Sequence, residues 1–99
     1  MGSKKKKYLI ILNPFSGKGR ARKAEKQIIK FFEKNALSYT IEHTKCAKDA
    51  TQIAQKYAVS DYTHYVIGGG DGTLNEVING LNVSQEKTLI FLPLGTVNI

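Results

Sequence analysis

A chain of 99 residues holds one small domain with one hydrophobic core and is too short for two. Its 41% hydrophobic and 23% charged residues suit a globular protein, no apolar run approaches the ~20 residues of a membrane span, and the single Cys46 excludes an internal disulfide and fits a reducing, cytoplasmic setting. The net charge of +7 is lopsided: residues 1–30 carry ten of the 15 Lys and Arg and one acid, a net +9, whereas residues 31–99 carry five bases and seven acids, a net −2.

Residues 1–7 read as a basic, disordered lead-in. Tyr8-Leu9-Ile10-Ile11-Leu12 is a continuous apolar run of strand length, as expected of a strand buried on both faces of a parallel sheet. Asn13-Pro14 stops it, because proline cannot donate to a ladder, and Pro14 to Gly19 form a glycine-containing turn. Ala21, Ala24, Ile28 and Phe31 then recur as one helix face, with Asn35 as a stop. Ser38 to His43 reads as a second strand and Thr44 to Lys48 as a loop. Ala50, Ile53, Ala54 and Tyr57 mark a second helix with Asp49 in its first turn. His64 to Ile67 is a third strand, and Leu74, Val77, Ile78 and Leu81 give a third helix from about Thr73, where Thr73 and Glu76 fit a capping box. Thr88 to Leu92 is a fourth strand, again fully apolar at Leu89-Ile90-Phe91-Leu92, followed by the turn Pro93 to Thr96.

The order β-α-β-α-β-α-β implies a three-layer α/β/α domain with a parallel sheet of about four strands and right-handed crossovers. Ligands of such sheets sit at the carboxyl ends of the strands. Four loops rich in Gly, Ser, Thr, Asn or Lys leave those ends, at 13–19, 44–48, 68–73 and 93–99.

The loop Gly68-Gly69-Gly70-Asp71-Gly72-Thr73 joins a buried strand to a helix N-terminus, an arrangement that collects backbone N–H groups and the positive helix end at one point. It is neither common nucleotide fingerprint: Gly-x-Gly-x-x-Gly fails at Thr73, and a Walker A reading of Ser16-Gly17-Lys18 fails at Leu12. Gly69 and Gly70 permit close approach of a phosphate. Asp71 can hold Mg²⁺, accept a hydroxyl proton, or serve simply as a helix cap. In the first loop Asn13, Ser16, Gly17 and Lys18 offer a second grip on phosphate, with Ser16 alternatively a helix cap. Thr44 and Thr96 can be ligand contacts or plain turn hydroxyls. His43, His64 and Cys46 have no partner at metal-ligand spacing, and the five tyrosines do not alternate with basic residues, so no nucleic-acid surface is expected.

Three segments then resemble, in order, the signatures of the diacylglycerol kinase catalytic family, which includes bacterial lipid kinases and sphingosine kinases. They are Asn13-Pro-Phe-Ser16-Gly17, Gly68-Gly-Gly-Asp-Gly-Thr-Leu-Asn-Glu76 and Leu92-Pro-Leu-Gly-Thr96-Val-Asn98. The resemblance covers Tyr8 to Ile99. It implies ATP as donor, with Gly70, Asp71, Gly72, Thr73, Leu74, Asn75 and Glu76 along its phosphates and ribose, and Asn13, Thr44 and Thr96 as further contacts. It also implies Asp71 near the transferred phosphate with Mg²⁺, and a lipid hydroxyl such as that of diacylglycerol as acceptor. NAD kinases share the Gly-Gly-Asp-Gly turn and are the alternative enzyme reading; a bare nucleotide-binding module is the non-enzymatic one.

Two features depart from the family pattern. Asn98 is followed by Ile99 where the family continues with Asp, and family members are about three times as long, with a second, mostly β domain that carries the lipid site and general base. Residues 8–99 are therefore expected to be the nucleotide-binding part, inactive alone. The basic N-terminal third, residues 1–30, is expected to steer ATP or to meet peripherally the anionic membrane that holds the lipid acceptor.

Overall fold

The structure, a computed structural model, describes residues 5–81 and 86–94. Four parallel strands, β1 (Lys7–Leu12), β2 (Ser38–His43), β3 (His64–Gly69) and β4 (Thr88–Pro93), form one sheet in the order β2-β1-β3-β4. Three helices, α1 (Arg20–Lys34), α2 (Asp49–Ala58) and α3 (Asp71–Gly80), connect them, with a short 3₁₀ turn at Ser16–Gly19 before α1. The three-layer α/β reading holds. The chain leaves β1 outward to β2, then crosses back past β1 to β3 and on to β4. The strand order therefore reverses between β1 and β3, and the loops leaving those two strands flank the position where open parallel sheets bind ligands.

Strand β1 is the buried centre: Leu9 to Leu12 are fully enclosed. Alternate residues serve opposite layers, as the two-residue strand period requires. Leu9, Ile11, Tyr65 and Ile67 pack with Ala50, Ala54 and Val77 under α2 and α3, while Ile10 and Val66 pack with Phe32 under α1. Helices α2 and α3 approach closely at Gly80, where an added Cβ would meet the Thr51 carbonyl oxygen at 2.4 Å. Thr51 Oγ1 donates to the Glu76 carbonyl at 2.8 Å across the same contact.

Several expectations need correction. Strand β1 starts at Lys7, whose backbone N–H donates to Thr63 Oγ1 and whose Nζ pairs with Asp61 at 3.1 Å, so the lead-in ends one residue sooner. On α1 Ala21 is buried as expected, but the aromatic residue in the core is Phe32, not Phe31. Phe32 meets Tyr8 and Tyr39 edge-to-face, whereas Phe31 is 58% exposed. Periodicity admits either residue, and the position of β2 beneath the helix decides. Strand β4, although fully apolar at residues 89–92, is an edge strand whose Leu89 and Ile90 remain over a third exposed. Helix α3 begins at Asp71, two residues before the expected start, so Thr73 lies inside the helix and the Thr73–Glu76 capping box does not form. Thr96 and Asn98 lie outside the described residues.

Candidate functional site

The site is built at the carboxyl edge of the sheet, from the loop after β1 upward. Asn13 N–H extends the ladder by donating to the Gly68 carbonyl at 2.9 Å, and Asn13 Oδ1 accepts from Phe15 N–H at 3.0 Å. That local turn throws Phe15 outward, where it is 78% exposed. Gly17, Lys18 and Gly19 follow with φ of 68°, 51° and 96°, a left-handed stretch that glycine tolerates and lysine rarely adopts. Gly17 is needed for a second reason. A Cβ there would lie 1.9 Å from the Leu94 carbonyl oxygen, so this loop presses on the chain leaving β4. Ser16 makes no cap to α1; the residue preceding that helix is Gly19.

The loop after β2 is held by two carboxylates. Thr44, buried, is fixed to β1 by its N–H donating to the Leu12 carbonyl at 2.9 Å. Asp49, the first residue of α2, reaches back so that Oδ2 accepts from the N–H groups of Lys45 at 2.7 Å and Cys46 at 3.2 Å. The Lys45 N–H holds the Asp49 carboxyl below the usual carboxylate range. The same carboxylate, which the Cys46 thiol faces, pushes that thiol up, so Cys46 is a poor nucleophile near neutral pH. The second carboxylate is Glu76 on α3, whose Oε2 accepts from the N–H of Lys48, a residue at φ 73°. Sequence reading placed Glu76 in a capping box; it instead ties the loop after β2 to α3.

The glycines that end β3 and follow it divide by purpose. At Gly68 a Cβ would meet Leu12 Cδ1 at 2.6 Å, so the Leu12 side chain would have to shift. Gly69 is required by α3, since a Cβ would meet Thr73 Oγ1 at 2.6 Å and Thr73 Cβ at 2.9 Å. Its missing side chain admits Thr73. Gly70 is different. Its backbone, φ −97° and ψ −175°, is extended conformation open to any residue, and a Cβ would meet nothing within 4 Å. It occupies the residue position preceding α3, where Ser or Asp normally caps, and no side chain caps this helix. The first helical bond is Leu74 N–H to the Gly70 carbonyl at 3.2 Å, so the N–H groups of Asp71, Gly72 and Thr73 have no acceptor within the helix.

These loops enclose a cleft of about 220 Å³ lined by Asn13, Phe15, Thr44, Lys45, Thr73 and Glu76, with Cys46 and Ala47 at its rim. The structure thus gathers Asn13 and Thr44 from two loops and Thr73 and Glu76 from helix α3. Asp71, Gly72, Leu74 and Asn75 line a shallow surface on the other side of α3, and Leu74 also packs against the core. Phe15 and Lys45 were missed as lining residues. The signal for Phe15 was present in Asn13-Pro14, since an Asn side chain that accepts two residues on turns the next side chain outward. Among the described residues no cluster of three His, Cys, Asp or Glu forms a metal cage.

The comparisons with known proteins agree with this architecture. The model of the family described as "Diacylglycerol kinase catalytic domain" matches residues 7–99. The diacylglycerol kinase of Bacillus subtilis is 38% identical over 94 residues, covering 94% of this chain and 31% of its own. Sphingosine kinase 1 of Arabidopsis thaliana is 42% identical over 94 residues, covering 93% and 19%. The crystal structure of a diacylglycerol kinase from Bacillus anthracis superposes with a TM-score of 0.81 at 34% identity, over 96% of this chain and 35% of that one. The chain spans about a third or less of the length of these relatives. A match that runs over nearly the whole chain, in sequence and in backbone alike, places this protein in the diacylglycerol kinase catalytic domain family.

Proposed function

We propose that this chain is the ATP-binding part of a lipid kinase that transfers the γ-phosphoryl group of ATP to a lipid hydroxyl, diacylglycerol or a related lipid. One observation carries the reading: α3 begins with a glycine where a capping residue would fit, with open space beside it and three N–H groups without helical acceptors. A helix end that forgoes its own cap is free to accept the ligand's anionic oxygens instead. Relatives named diacylglycerol kinase and sphingosine kinase fit phosphate chemistry at that point.

In this reading the N–H groups of Asp71, Gly72 and Thr73 hold the phosphates. Ser16, Gly17 and Asn13 grip them from across the strand-order reversal, and Lys18 adds positive charge there. The adenosine portion runs along the cleft past Thr44 and Glu76, with Phe15 offering a flat apolar face at its mouth. Thr96 is a further contact to the nucleotide in this reading. Asp71, exposed and beside the phosphates, suits Mg²⁺, which takes one or two carboxylates together with phosphate oxygens and needs no protein cage. That ion would neutralise charge on the transferring phosphoryl group. The acceptor lipid and the general base belong to a C-terminal β domain beyond residues 8–99, so this chain alone binds nucleotide without turnover. The protein works in the cytoplasm, meeting anionic membrane peripherally through Lys4, Lys5 and Lys6.

The test is calorimetric titration of the 99-residue chain with ATP, with and without Mg²⁺. Binding strengthened by Mg²⁺, and loss of that strengthening in Asp71→Ala, is the expected result. No heat at millimolar MgATP overturns the reading. Radiolabelled transfer to diacylglycerol by a chain of the relatives' length tests the acceptor, and transfer to NAD instead would move the assignment to a NAD kinase. Sedimentation with anionic vesicles should weaken on replacing Lys4, Lys5 and Lys6 by Gln and fall with salt; salt-independent binding contradicts the membrane contact.

A further inference from the structure

Most rings of this chain serve the fold. Tyr8, Phe32 and Tyr39 meet edge-to-face between α1 and the sheet, and Tyr57 of α2 meets Tyr62 in the same way. Phe15 is placed differently, on the lining of the cleft at the carboxyl edge. Its position is built by the backbone before it. Asn13 Oδ1 accepts from Phe15 N–H at 3.0 Å, and the Asn13 carbonyl accepts from Ser16 N–H at 3.2 Å. One residue therefore braces the turn through both its side chain and its main chain. Asn13 is itself anchored, its N–H donating to the Gly68 carbonyl at 2.9 Å. The ring is thus carried on the central part of the sheet, and its orientation is set before any ligand arrives.

The space beside the ring suits a flat group. The cleft, about 220 Å³, is smaller than the ~300–1,000 Å³ of pockets that enclose a whole drug-sized ligand. It can hold the base of a nucleotide while the rest lies outside. Thr73 links it to the end of α3: the side chain borders the cleft, and the N–H is among those without a helical acceptor.

The wall contributed by the loop after β2 has already spent most of its donors. Thr44 N–H goes to the Leu12 carbonyl, the N–H groups of Lys45 and Cys46 go to Asp49 Oδ2, and Lys48 N–H goes to Glu76 Oε2. Those four N–H groups cannot also read the edge of a base. What this wall and Phe15 offer a base is contact area, and contact with a π face grows with the size of the ring system.

We propose that Phe15 is the stacking platform for the base, and that the cleft prefers purine to pyrimidine nucleotides through ring area. The proposal rests on the reading of this edge as a nucleotide site, and it adds what the site recognises beyond phosphate. Phe15 is then a specificity-determining residue, and the brace at Asn13 is what fixes its ring.

Three probes separate base from phosphate: MgATP, MgUTP, and magnesium tripolyphosphate, which has no base at all. Titration calorimetry of the 99-residue chain should show MgATP binding more tightly than MgUTP. Phe15→Ala, at an exposed position and checked for fold by circular dichroism, should weaken MgATP by about tenfold, in the range found when a stacking ring is removed. It should also erase the preference over MgUTP and leave tripolyphosphate binding unchanged. Phe15→Leu, which keeps the bulk without the ring, should behave as Phe15→Ala does, whereas Phe15→Tyr should bind as the wild type does. Phe15→Trp adds a direct reading, because the sequence has no tryptophan and the new indole is the only one. Its fluorescence should be quenched by MgATP and not by tripolyphosphate. If tripolyphosphate binds but Phe15→Ala leaves MgATP unchanged, or weakens MgATP and tripolyphosphate alike, the stacking role is overturned and the phosphate site stands. An indole that MgATP does not quench overturns it as well. If the wild type binds neither MgATP nor tripolyphosphate, the nucleotide reading itself fails and the stacking role falls with it.

Discussion

Gly70→Ser should make the domain more stable and a worse nucleotide binder at once. Residue 70 has the extended backbone of a helix-capping serine, φ −97° and ψ −175°, and nothing lies within 4 Å of the Cβ that serine would add. Its hydroxyl would accept from an N–H of the first turn of α3, among the groups now without a helical acceptor. Serine caps better than glycine by a few tenths of a kcal/mol, and restricting the unfolded chain adds a comparable amount, for a total of about 0.5–1 kcal/mol. In a domain of this size that raises Tm by about 2–8 °C. On the proposed reading the hydroxyl would at the same time occupy a donor that the phosphates would use. Losing one hydrogen bond to a charged group costs about 1.5–3 kcal/mol, a ten- to hundredfold weaker dissociation constant for MgATP. Differential scanning calorimetry and titration calorimetry on the same protein read both quantities. Unchanged ATP affinity together with a raised Tm would refute the use of this helix end by phosphate, while a lowered Tm would refute the capping geometry itself.

Gly69→Ala is the contrasting change: its Cβ falls against Thr73 Oγ1 and Cβ, so overpacking should cost about 1–3 kcal/mol and Thr73→Ala in the same chain should restore most of the Tm. Glu76→Ala should leave Tm within about 3 °C yet weaken MgATP, because it frees Lys48 N–H and loosens the loop that carries Thr44; Glu76→Gln, which keeps an acceptor oxygen, should restore binding. Alkaline titration should show two tyrosines ionising late. Tyr57 is pushed up to about 12 by its hydrogen bond to Glu42, and Tyr65 to about 12 by burial. Both phenols keep their proton longer when folded than the ~10 of an unfolded tyrosine, so their stabilisation is whole below pH ~10 and lost between ~10 and 12. His64 runs the other way: burial holds its pKa below 6.5, so folding is weakened as pH falls beneath that value, and His64→Gln should flatten the acid limb of a denaturant-midpoint profile.

Much of the fold can be read directly from residue order. Leu9 to Leu12 are apolar at both parities because both faces of β1 are covered, and Tyr39 and Ile41 alternate with Thr40 and Glu42 because β2 is an edge. What failed were choices that a neighbour makes. Whether Phe31 or Phe32 is core depends on Tyr8 and Tyr39 beneath α1, which no helical period encodes. The start of α3 moved because a Thr followed three residues later by Glu also satisfies a capping rule. The backbone bends three residues earlier, at Gly70, and Thr73 fills the space over Gly69. Of the candidate site, Asn13, Thr44, Thr73 and Glu76 were named from sequence and do meet in one cleft. The ties of Glu76 to Lys48 and of Gly17 to Leu94 were not readable, since each joins segments far apart in the chain.

A contiguous motif need not be a contiguous surface, and α3 shows why. Successive helical residues are 100° apart, so Gly70 to Glu76 cannot all face one ligand. The structure separates them by kind of donor. The first-turn N–H groups point along the axis and serve whatever lies beyond the helix end. Thr73 and Glu76, on one flank, line the cleft. Asp71 and Asn75, on the other, line a separate open surface. If the nucleotide lies in the cleft, its phosphates must bend around the end of α3 to bring the terminal group to Asp71. The transferable phosphate then sits on the far side of the helix from the adenosine. There Asn75 and Ile78 share the surface with Asp71, while Ile78 is half exposed and apolar. On the proposed reading, a lipid-bearing domain would approach α3 from the side of Asp71 and Ile78, opposite the cleft, so that donor and acceptor would meet without disturbing the cleft.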